Sequence, residues 1–260
     1  MTTKLIKNLP AVVYSTFIYL FFYIPIIILI IYSFNQAQYS LLWHGFSLRW
    51  YNELFADTDL WIAVWHSLTL GIFAATIAMC VGSLAAVSLY RYRFFGRELL
   101  YGLIFILILT PDIVMGISLL ILFNFFKVSL GFWSLLLAHV TFCIPFVVVT
   151  VYSRMVSFDE NIFEAAKDLG ANDFVIFTRI ILPLLWPAML AGWLLSFTLS
   201  IDDVMISYFV TGPGFEILPL KIYSMVRLGV KPEINALCAV TFVLTLLIVI
   251  LSQLLLRKKP

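Results

Sequence analysis

Three carboxylates stand inside otherwise apolar stretches of the chain: Asp112, Asp202 and Asp203. An Asp at the centre of a membrane helix costs about 2.5–3.5 kcal/mol on insertion scales, so each demands a partner or a task. Ser196, Ser200, Asp203 and Ser207 follow i, i+4, i+7, i+11 spacing, which is one helical face in an apolar run. Such a stripe predicts a cavity wall on which Asp203, with Asp112, attracts a cation. Asp202 points about 100° away, toward the cavity edge or a neighbouring helix. Bonding between helices is the plainer alternative for all three. Trp193, Phe197, Tyr208 and Tyr223 are aromatic surfaces on which a cation or its methylenes could rest, Tyr223 as a gate, although core packing also accounts for them. No Lys or Arg lies at matching depth, so the carboxylates have no evident salt-bridge partner. His66 and His139 are single histidines on apolar runs, where packing with one hydrogen bond is the expectation. Neither a metal set nor a nucleophile–base pair is evident, so catalysis is not supported. Cys80, Cys143 and Cys238 lack metal spacing and read as packing residues.

A second chemistry-bearing segment is the polar island Asn161 to Pro183, set between two long hydrophobic runs. Ser157-Phe158-Asp159-Glu160 has the Ser-x-x-Glu form of a capping box, predicting a helix through Glu164-Ala165-Ala166 to Leu169. Gly170 suits the left-handed position that ends helices, and Asn172 or Asp173 can cap a second helix. Ile162, Ala165, Ala166 and Leu169 form one apolar face, and Phe174, Phe177 and Ile181 another. The flanking Asp159, Glu160, Glu164 and Asp168 are acidic. A helix lying on lipid normally carries Lys and Arg there, so a groove on a soluble partner is the better match.

The elements that hold these residues follow from composition. The 260 residues are 63% hydrophobic and 12% charged, with mean hydropathy +1.07. Soluble domains carry about a quarter charged residues, so the solvent for most of this chain is lipid. The net charge of +2 gives no argument for nucleic acid. A bilayer crossing takes about 20 apolar residues. Six segments qualify: Val12–Phe34, Ile62–Tyr90, Leu99–Phe126, Phe132–Ser153, Pro187–Phe209 and Asn235–Leu256. Pro25, Pro111 and Pro145 should kink three of them. The basic start Met1 to Lys7 precedes a run too long for a cleaved signal, so the first segment reads as a retained span. Counting rise along straight helices puts Asp112 roughly 20 Å, and Asp202 and Asp203 roughly 23 Å, from the cytoplasmic ends of their spans.

Six spans place both termini on one side. Eleven of the 16 Lys and Arg residues fall with the termini and the island, which makes that side cytoplasmic. The opposite face carries the loop Asn35–Trp61, whose Trp43, Trp50, Tyr51 and Trp61 fit an interfacial aromatic belt. It also carries a turn near Ser129–Gly131 and a segment opened by Thr211-Gly212-Pro213-Gly214, after which Ile217–Leu228 reads as a re-entrant or interfacial helix. Ser67, Gly71, Ala75, Ala78, Gly82 and Ala85 form a small-residue stripe that lets helix backbones approach, within the subunit or against a sister subunit.

Glu164-Ala165-Ala166, Gly170, Ile180 and Leu182-Pro183 resemble the EAA motif of ABC importer permeases, in the matching position between spans four and five. Ser200 to Val204, Thr211 to Gly214 and Leu218 to Ser224 are similar to the permeases of spermidine/putrescine importers. The resemblance covers nearly the whole chain. It implies an all-α membrane protein, residues 1–260 forming a single domain: a six-helix type I (MetI-like) bundle whose loop 154–183 holds a cytoplasmic coupling helix. It implies Glu164, Ala165, Ala166, Leu169, Gly170 and Phe174 as the coupling surface, and Asp112, Asp202, Asp203, Ser200, Ser207, Trp193 and Tyr223 along the substrate pathway. A polyamine suits that set, since its separated ammonium groups need several carboxylates. The implied partners are two cytoplasmic ATP-binding subunits, a second homologous permease, a periplasmic polyamine-binding protein and the bilayer of a bacterial inner membrane. No Gly-x-x-x-x-Gly-Lys-Ser/Thr loop occurs in the chain, so if transport is ATP-driven the ATPase is another chain; the expectation is no cofactor on this subunit and ATP with Mg on the partner ATPase. An ABC permease for another cation or small solute, an ion-coupled transporter or channel, and a membrane enzyme are the rival readings.

Overall fold

The computed structural model describes residues 9–37, 42–159, 161–227 and 232–256, and within these the chain is helical apart from loops and one isolated bridge, Asn35 to Phe46. In order the helices are α1 Leu9–Tyr32, α2 Arg49–Ala56, α3 Thr58–Arg91, α4 Arg97–Leu109, α5 Asp112–Phe125, α6 Phe132–Val156, α7 Asn161–Asp168, α8 Asp173–Ile176, α9 Leu182–Asp202, α10 Met205–Val210, α11 Leu218–Arg227 and α12 Pro232–Leu256. A π-helical turn, Phe177–Ile181, joins α8 to α9. The chain divides into two compact units, residues 1–60 with 222–260, and residues 61–221.

In the unit 61–221, α6 is the axis, with buried residues along its whole length from Ser134 to Met155. Most of the helix packs on protein, while Trp133, Leu137 and Val156 are exposed. Glycine permits the closest approach. A Cβ added at Gly82 of α3 would stand 2.8 Å from Val147 Cβ, and one at Gly71 would stand 3.2 Å from the Phe197 ring. The small-residue stripe of α3 therefore packs within this unit. Gly212 is tighter still: its Cβ would lie 2.1 Å from the Leu130 carbonyl oxygen, so backbone meets backbone between the 211–214 turn and the 129–131 turn.

Among the described residues, four helical stretches are long and apolar enough to cross a bilayer: Val12–Tyr32, Thr58–Arg91, Phe132–Val156 and Asp173–Asp202. Three expected spans differ: Asn235–Leu256 is met, among the described residues, by a shorter apolar helix, Pro232–Leu247, and the other two are broken or shifted. Leu99–Phe126 is not one kinked helix but α4 and α5, bent by 115°. Thr110, held extended before Pro111, ends α4, and a new helix starts at Asp112. The expected span Pro187–Phe209 begins earlier and stops sooner. Pro183 and Pro187 lie within one helical stretch, Asp173–Asp202, in which a π turn precedes Pro183 and Leu182 N–H reaches back to the Phe177 carbonyl. The helix ends at Asp202, and α10 restarts after a break at Asp203 and Val204. Depths reckoned along straight helices do not hold for Asp112 or for residues beyond Asp202. The helices α1 and α6 run unbroken through Pro25 and Pro145.

In the other unit, Asn35 organises the loop that follows α1. Its carbonyl accepts from Trp50 Nε1 at 2.7 Å, its Oδ1 from His44 N–H at 2.9 Å, and its Nδ2 donates to the Leu42 carbonyl at 2.9 Å. Trp50, expected in an interfacial belt, is 2% exposed and belongs to the core here. The indole N–H found a carbonyl partner, which burial of Trp requires. The turn signal at Thr211–Gly214 is followed by α11, matching the short helix expected there.

Candidate functional site

The break between α9 and α10 is built by side chains. Asp203 Oδ1 accepts from Ile206 N–H at 3.1 Å, and Oδ2 accepts from Ser207 N–H at 2.8 Å and Ser207 Oγ–H at 2.7 Å. Asp203 thus caps the first turn of α10, supplying acceptors for donors that the helix start leaves unpaired. His139 of α6 faces the same break. Its Nδ1 lies 2.7 Å from Ser200 Oγ, and its Nε2 lies 2.8 Å from Ser207 Oγ and 3.6 Å from Asp203 Oδ2. On either side, Ser134 Oγ–H donates to the Val210 carbonyl at 2.7 Å and Cys143 Sγ contacts the Ser196 carbonyl at 3.5 Å. One face of α6 therefore fastens both α9 and α10.

This arrangement corrects the reading of the polar stripe. Ser196, Ser200, Asp203 and Ser207 are divided between α9, the break and α10, and all four are buried beside His139 and Cys143 of α6. They form no cavity wall in this structure. The physical reason is that Asp203 is spent on Ile206 N–H and on Ser207, while His139 of α6 bonds Ser200 and Ser207. His139 makes two hydrogen bonds, not one. His66 also has company: its Nδ1 lies 3.0 Å from the Glu216 carbonyl and its ring stacks on Phe215 with centroids 4.0 Å apart.

The other two carboxylates are exposed, and each sits at a helix break. Asp112 is the first residue of α5, and Asp202 is the last residue of α9. The breaks are physically linked, since α5 packs on α10: Gly116 opens the space that Phe209 and the Ile206 backbone occupy. An Asp in the first turn of a helix is favoured by the helix dipole, whereas one in the last turn is disfavoured. Asp202 therefore stands at the unfavourable end of its helix. Trp193 is half-buried, donates from Nε1 to Thr76 Oγ1 at 3.0 Å and stacks on Phe197 with centroids 5.3 Å apart. Tyr223 lies in the other unit, on α11, with the Arg227 guanidinium 5.7 Å from its ring centroid.

The island forms the expected pair of helices, with different ends. Ser157 does not start the first one: it closes α6, its Oγ–H donating to the Arg154 carbonyl at 2.6 Å. The other half of that capping box, Glu160, lies outside the described residues. Asp159 takes over, with Oδ1 accepting from Asn161 N–H at 3.0 Å. Gly170 has φ +79°, and Ala171 N–H reaches the Ala166 carbonyl at 3.0 Å, the pairing that terminates a helix in a left-handed residue. Asn172 caps α8, with Oδ1 accepting from Val175 N–H at 2.9 Å.

The apolar faces are split. Ala166 is buried and Phe163 half-buried against the unit's core, whereas Leu169 is 89% and Phe174 73% exposed. Ala165 and Glu164 are exposed beside them. Arg91, at the end of α3, ties the pair down: it forms an ion pair with Asp173 and its guanidinium lies 5.6 Å from the Phe163 ring centroid. Arg91, Phe163, Glu164, Lys167 and Asp173 line a surface cleft of about 420 Å³. The sequence offered no signal for Arg91, whose partner is 82 positions away.

Comparison with known proteins identifies the family and the fold. A family model for "Binding-protein-dependent transport system inner membrane component" matches residues 78–259. The spermidine/putrescine transport system permease protein PotC of Escherichia coli (strain K12) is 57% identical over 246 residues, covering 95% of this chain and 93% of that protein. Its Haemophilus influenzae counterpart is 56% identical over 241 residues, covering 93% and 94%. The putrescine permease PotI of Escherichia coli (strain K12) is 45% identical, covering 84% and 80%. Among solved structures, a bacterial ABC transporter involved in the import of the acidic polysaccharide alginate aligns with TM-score 0.74 at 17% identity, covering 100% of this chain and 98% of that one. The inward-facing MetNI methionine ABC transporter aligns with TM-score 0.62 at 16% identity, covering 75% and 94%. At these identities the two structures establish the fold, which is that of ABC importer permeases.

Proposed function

This chain belongs to the family of binding-protein-dependent transport system inner membrane components, and from that premise we propose that it is one permease of an ATP-driven polyamine importer. The observation that carries the cargo is the pair of helix breaks, each displaying an exposed carboxylate, Asp112 and Asp202. The relatives most similar in sequence carry spermidine and putrescine in their names. The fold alone does not choose a cargo, since the alginate importer shares it. A cationic, extended substrate is what a pair of separated carboxylates at helix ends would select. It would be shielded from lipid by a second, homologous permease that completes the path and received from a periplasmic polyamine-binding protein.

The same proposal assigns the island to a pair of cytoplasmic ATP-binding subunits. Leu169 and Phe174 are large apolar side chains turned outward on short capped helices, beside Glu164, Ala165 and the left-handed Gly170. Such a surface fits a protein groove. Asp173–Asp202 is one continuous helical stretch of 30 residues, a lever of about 45 Å at 1.5 Å per residue. It runs from the docking element to the break at Asp202. ATP with Mg on the partner pair supplies the energy. This chain's part is to carry the resulting movement, through Arg91 and Phe163 into α3 and along the lever into the break, so that the bundle alternates between outward and inward access. A six-span topology with both termini in the cytoplasm of a bacterial cell is part of this proposal. The residues Trp193, Ser200, Ser207 and Asp203 then serve the pathway from behind, as packing and capping groups.

The test is uptake of radiolabelled spermidine and putrescine by cells carrying the complete transporter. Asp112→Asn and Asp202→Asn should each cut uptake by about ten-fold or more, the loss of one charge-assisted contact, while the complex assembles normally. Uptake at wild-type rate by both variants would sink the cargo assignment.

A further inference from the structure

We infer that His139 is a positioning residue for the cation pathway: it clasps the two sides of the α9–α10 break and so keeps the end of α9 open with Asp202 displayed. The inference rests on the reading that Asp202 meets the cargo. The bond directions fix how the clasp works. Ser207 Oγ gives its hydrogen to Asp203 Oδ2 at 2.7 Å, so toward His139, 2.8 Å away, it can only accept. Nε2 therefore carries a hydrogen, and in the neutral ring Nδ1 accepts from Ser200 Oγ–H at 2.7 Å. Ser200, His139, Ser207 and Asp203 form one directed chain of hydrogen bonds, buried throughout, in which each donor strengthens the next.

The clasp matters because the break is otherwise costly in lipid. A helix end leaves its last carbonyls without helical partners, and a bilayer offers no water for them. Without a restraint, the chain would recover those bonds by continuing α9 through Asp203 and Val204 into α10. Asp203 opposes this by taking the Ile206 and Ser207 N–H groups that a continuous helix would pair with residues 202 and 203. His139 opposes it by fixing Ser200 and Ser207 at the spacing of the broken form. The result is a helix C-terminus, negative by its dipole, carrying an exposed carboxylate. Both features are unfavourable alone and both are relieved by a cation. His139 touches no cargo in this account. It acts through Asp202.

The experiment uses the complete transporter in proteoliposomes, with Cys80→Ser and Cys238→Ser to remove the two accessible thiols. In that background Asp202→Cys is labelled with a cationic methanethiosulfonate. Adding His139→Leu should slow labelling by about five-fold, the change that one lost net hydrogen bond gives. His139→Gln, whose amide can still donate to Ser207, should stay near the parent rate. In uptake, His139→Leu with Asp202→Asn should be no slower than Asp202→Asn alone, because a residue acting through another is not additive with it. Ser200→Ala and Ser207→Ala, each removing one side of the clasp, serve should His139→Leu fail to assemble. An unchanged labelling rate in an assembled His139→Leu or Ser207→Ala complex overturns the clasp. Slowed labelling together with normal uptake by Asp202→Asn upholds the clasp and overturns the pathway role of Asp202.

Discussion

Two adjacent carboxylates with opposite settings allow a sharp test, the pair Asp203→Asn and Asp202→Asn. At position 203 the amide keeps one acceptor oxygen and places an NH₂ group where the other oxygen stood. Oδ2 receives both Ser207 N–H at 2.8 Å and Ser207 Oγ–H at 2.7 Å. The hydroxyl can rotate, but the buried N–H cannot, and it would face a donor. One unsatisfied buried donor costs about 1–3 kcal/mol. For a chain of this size each kcal/mol moves a melting midpoint by about 2–4 °C, so the expected loss is about 2–12 °C. Asp202 is exposed and makes none of these bonds, and its charge stands at the unfavourable helix end, so its amide variant should melt between about 2 °C below wild type and slightly above it. The assay is thermal denaturation of the detergent-solubilised complex, read by loss of the monodisperse peak, with polyamine uptake in parallel. Asp202→Asn should lose uptake and keep stability. Asp203→Asn should lose stability first. A stable Asp203→Asn complex, or an Asp202→Asn complex as labile as Asp203→Asn, would refute the division of labour between them.

Leu169→Ala should weaken the complex with the ATP-binding subunits by about 30-fold, from three CH₂ equivalents at 0.8 kcal/mol each on a side chain nine-tenths available, without changing the stability of the permease; titration of purified subunits checks this. Gly170→Ala meets no atom within 4 Å but must hold φ +79°, so it should cost about 1–2 kcal/mol and lower ATP turnover coupled to transport through a frayed turn rather than a lost contact. Gly212→Ala, whose Cβ would lie 2.1 Å from the Leu130 oxygen, requires backbone movement, and the yield of folded protein in membranes should fall by several-fold, more than for any surface change. Ala166→Leu, at a buried position, should lower melting by about 1–3 kcal/mol of overpacking while Ala165→Ser at an exposed one does not.

Apolar length made the helices legible in the residues, since lipid forces internal pairing on any long hydrophobic run. The island was legible for a different reason: local capping chemistry is short-range, and Gly170 and Asn172 do what their types predict. What sequence reasoning misplaced depends on long-range partners. A Ser-x-x-Glu pattern at 157–160 cannot reveal that Ser157 is already committed to the end of α6. Ser196, Ser200, Asp203 and Ser207 lie on two helices and the break between them rather than on one helical face, and periodicity does not say whether lipid, water or another helix lies opposite. His139 decided that, and it is 61 positions from Ser200 and 68 from Ser207. The break at Asp203 was equally hidden, because Ser200 to Ser207 contains neither Pro nor Gly. An Asp that is three and four residues ahead of the N–H groups it captures is the one local sign of it.

The central claim is that this permease carries polyamine at the expense of ATP hydrolysed elsewhere. Its most direct test is accumulation of labelled spermidine or putrescine by proteoliposomes that contain this chain with its sister permease, the ATP-binding subunits and the binding protein. The account expects accumulation with ATP and Mg, none without ATP, and loss of it in Asp202→Asn with ATP turnover retained. An assembled complex that hydrolyses ATP in response to its binding protein yet accumulates neither polyamine would contradict it.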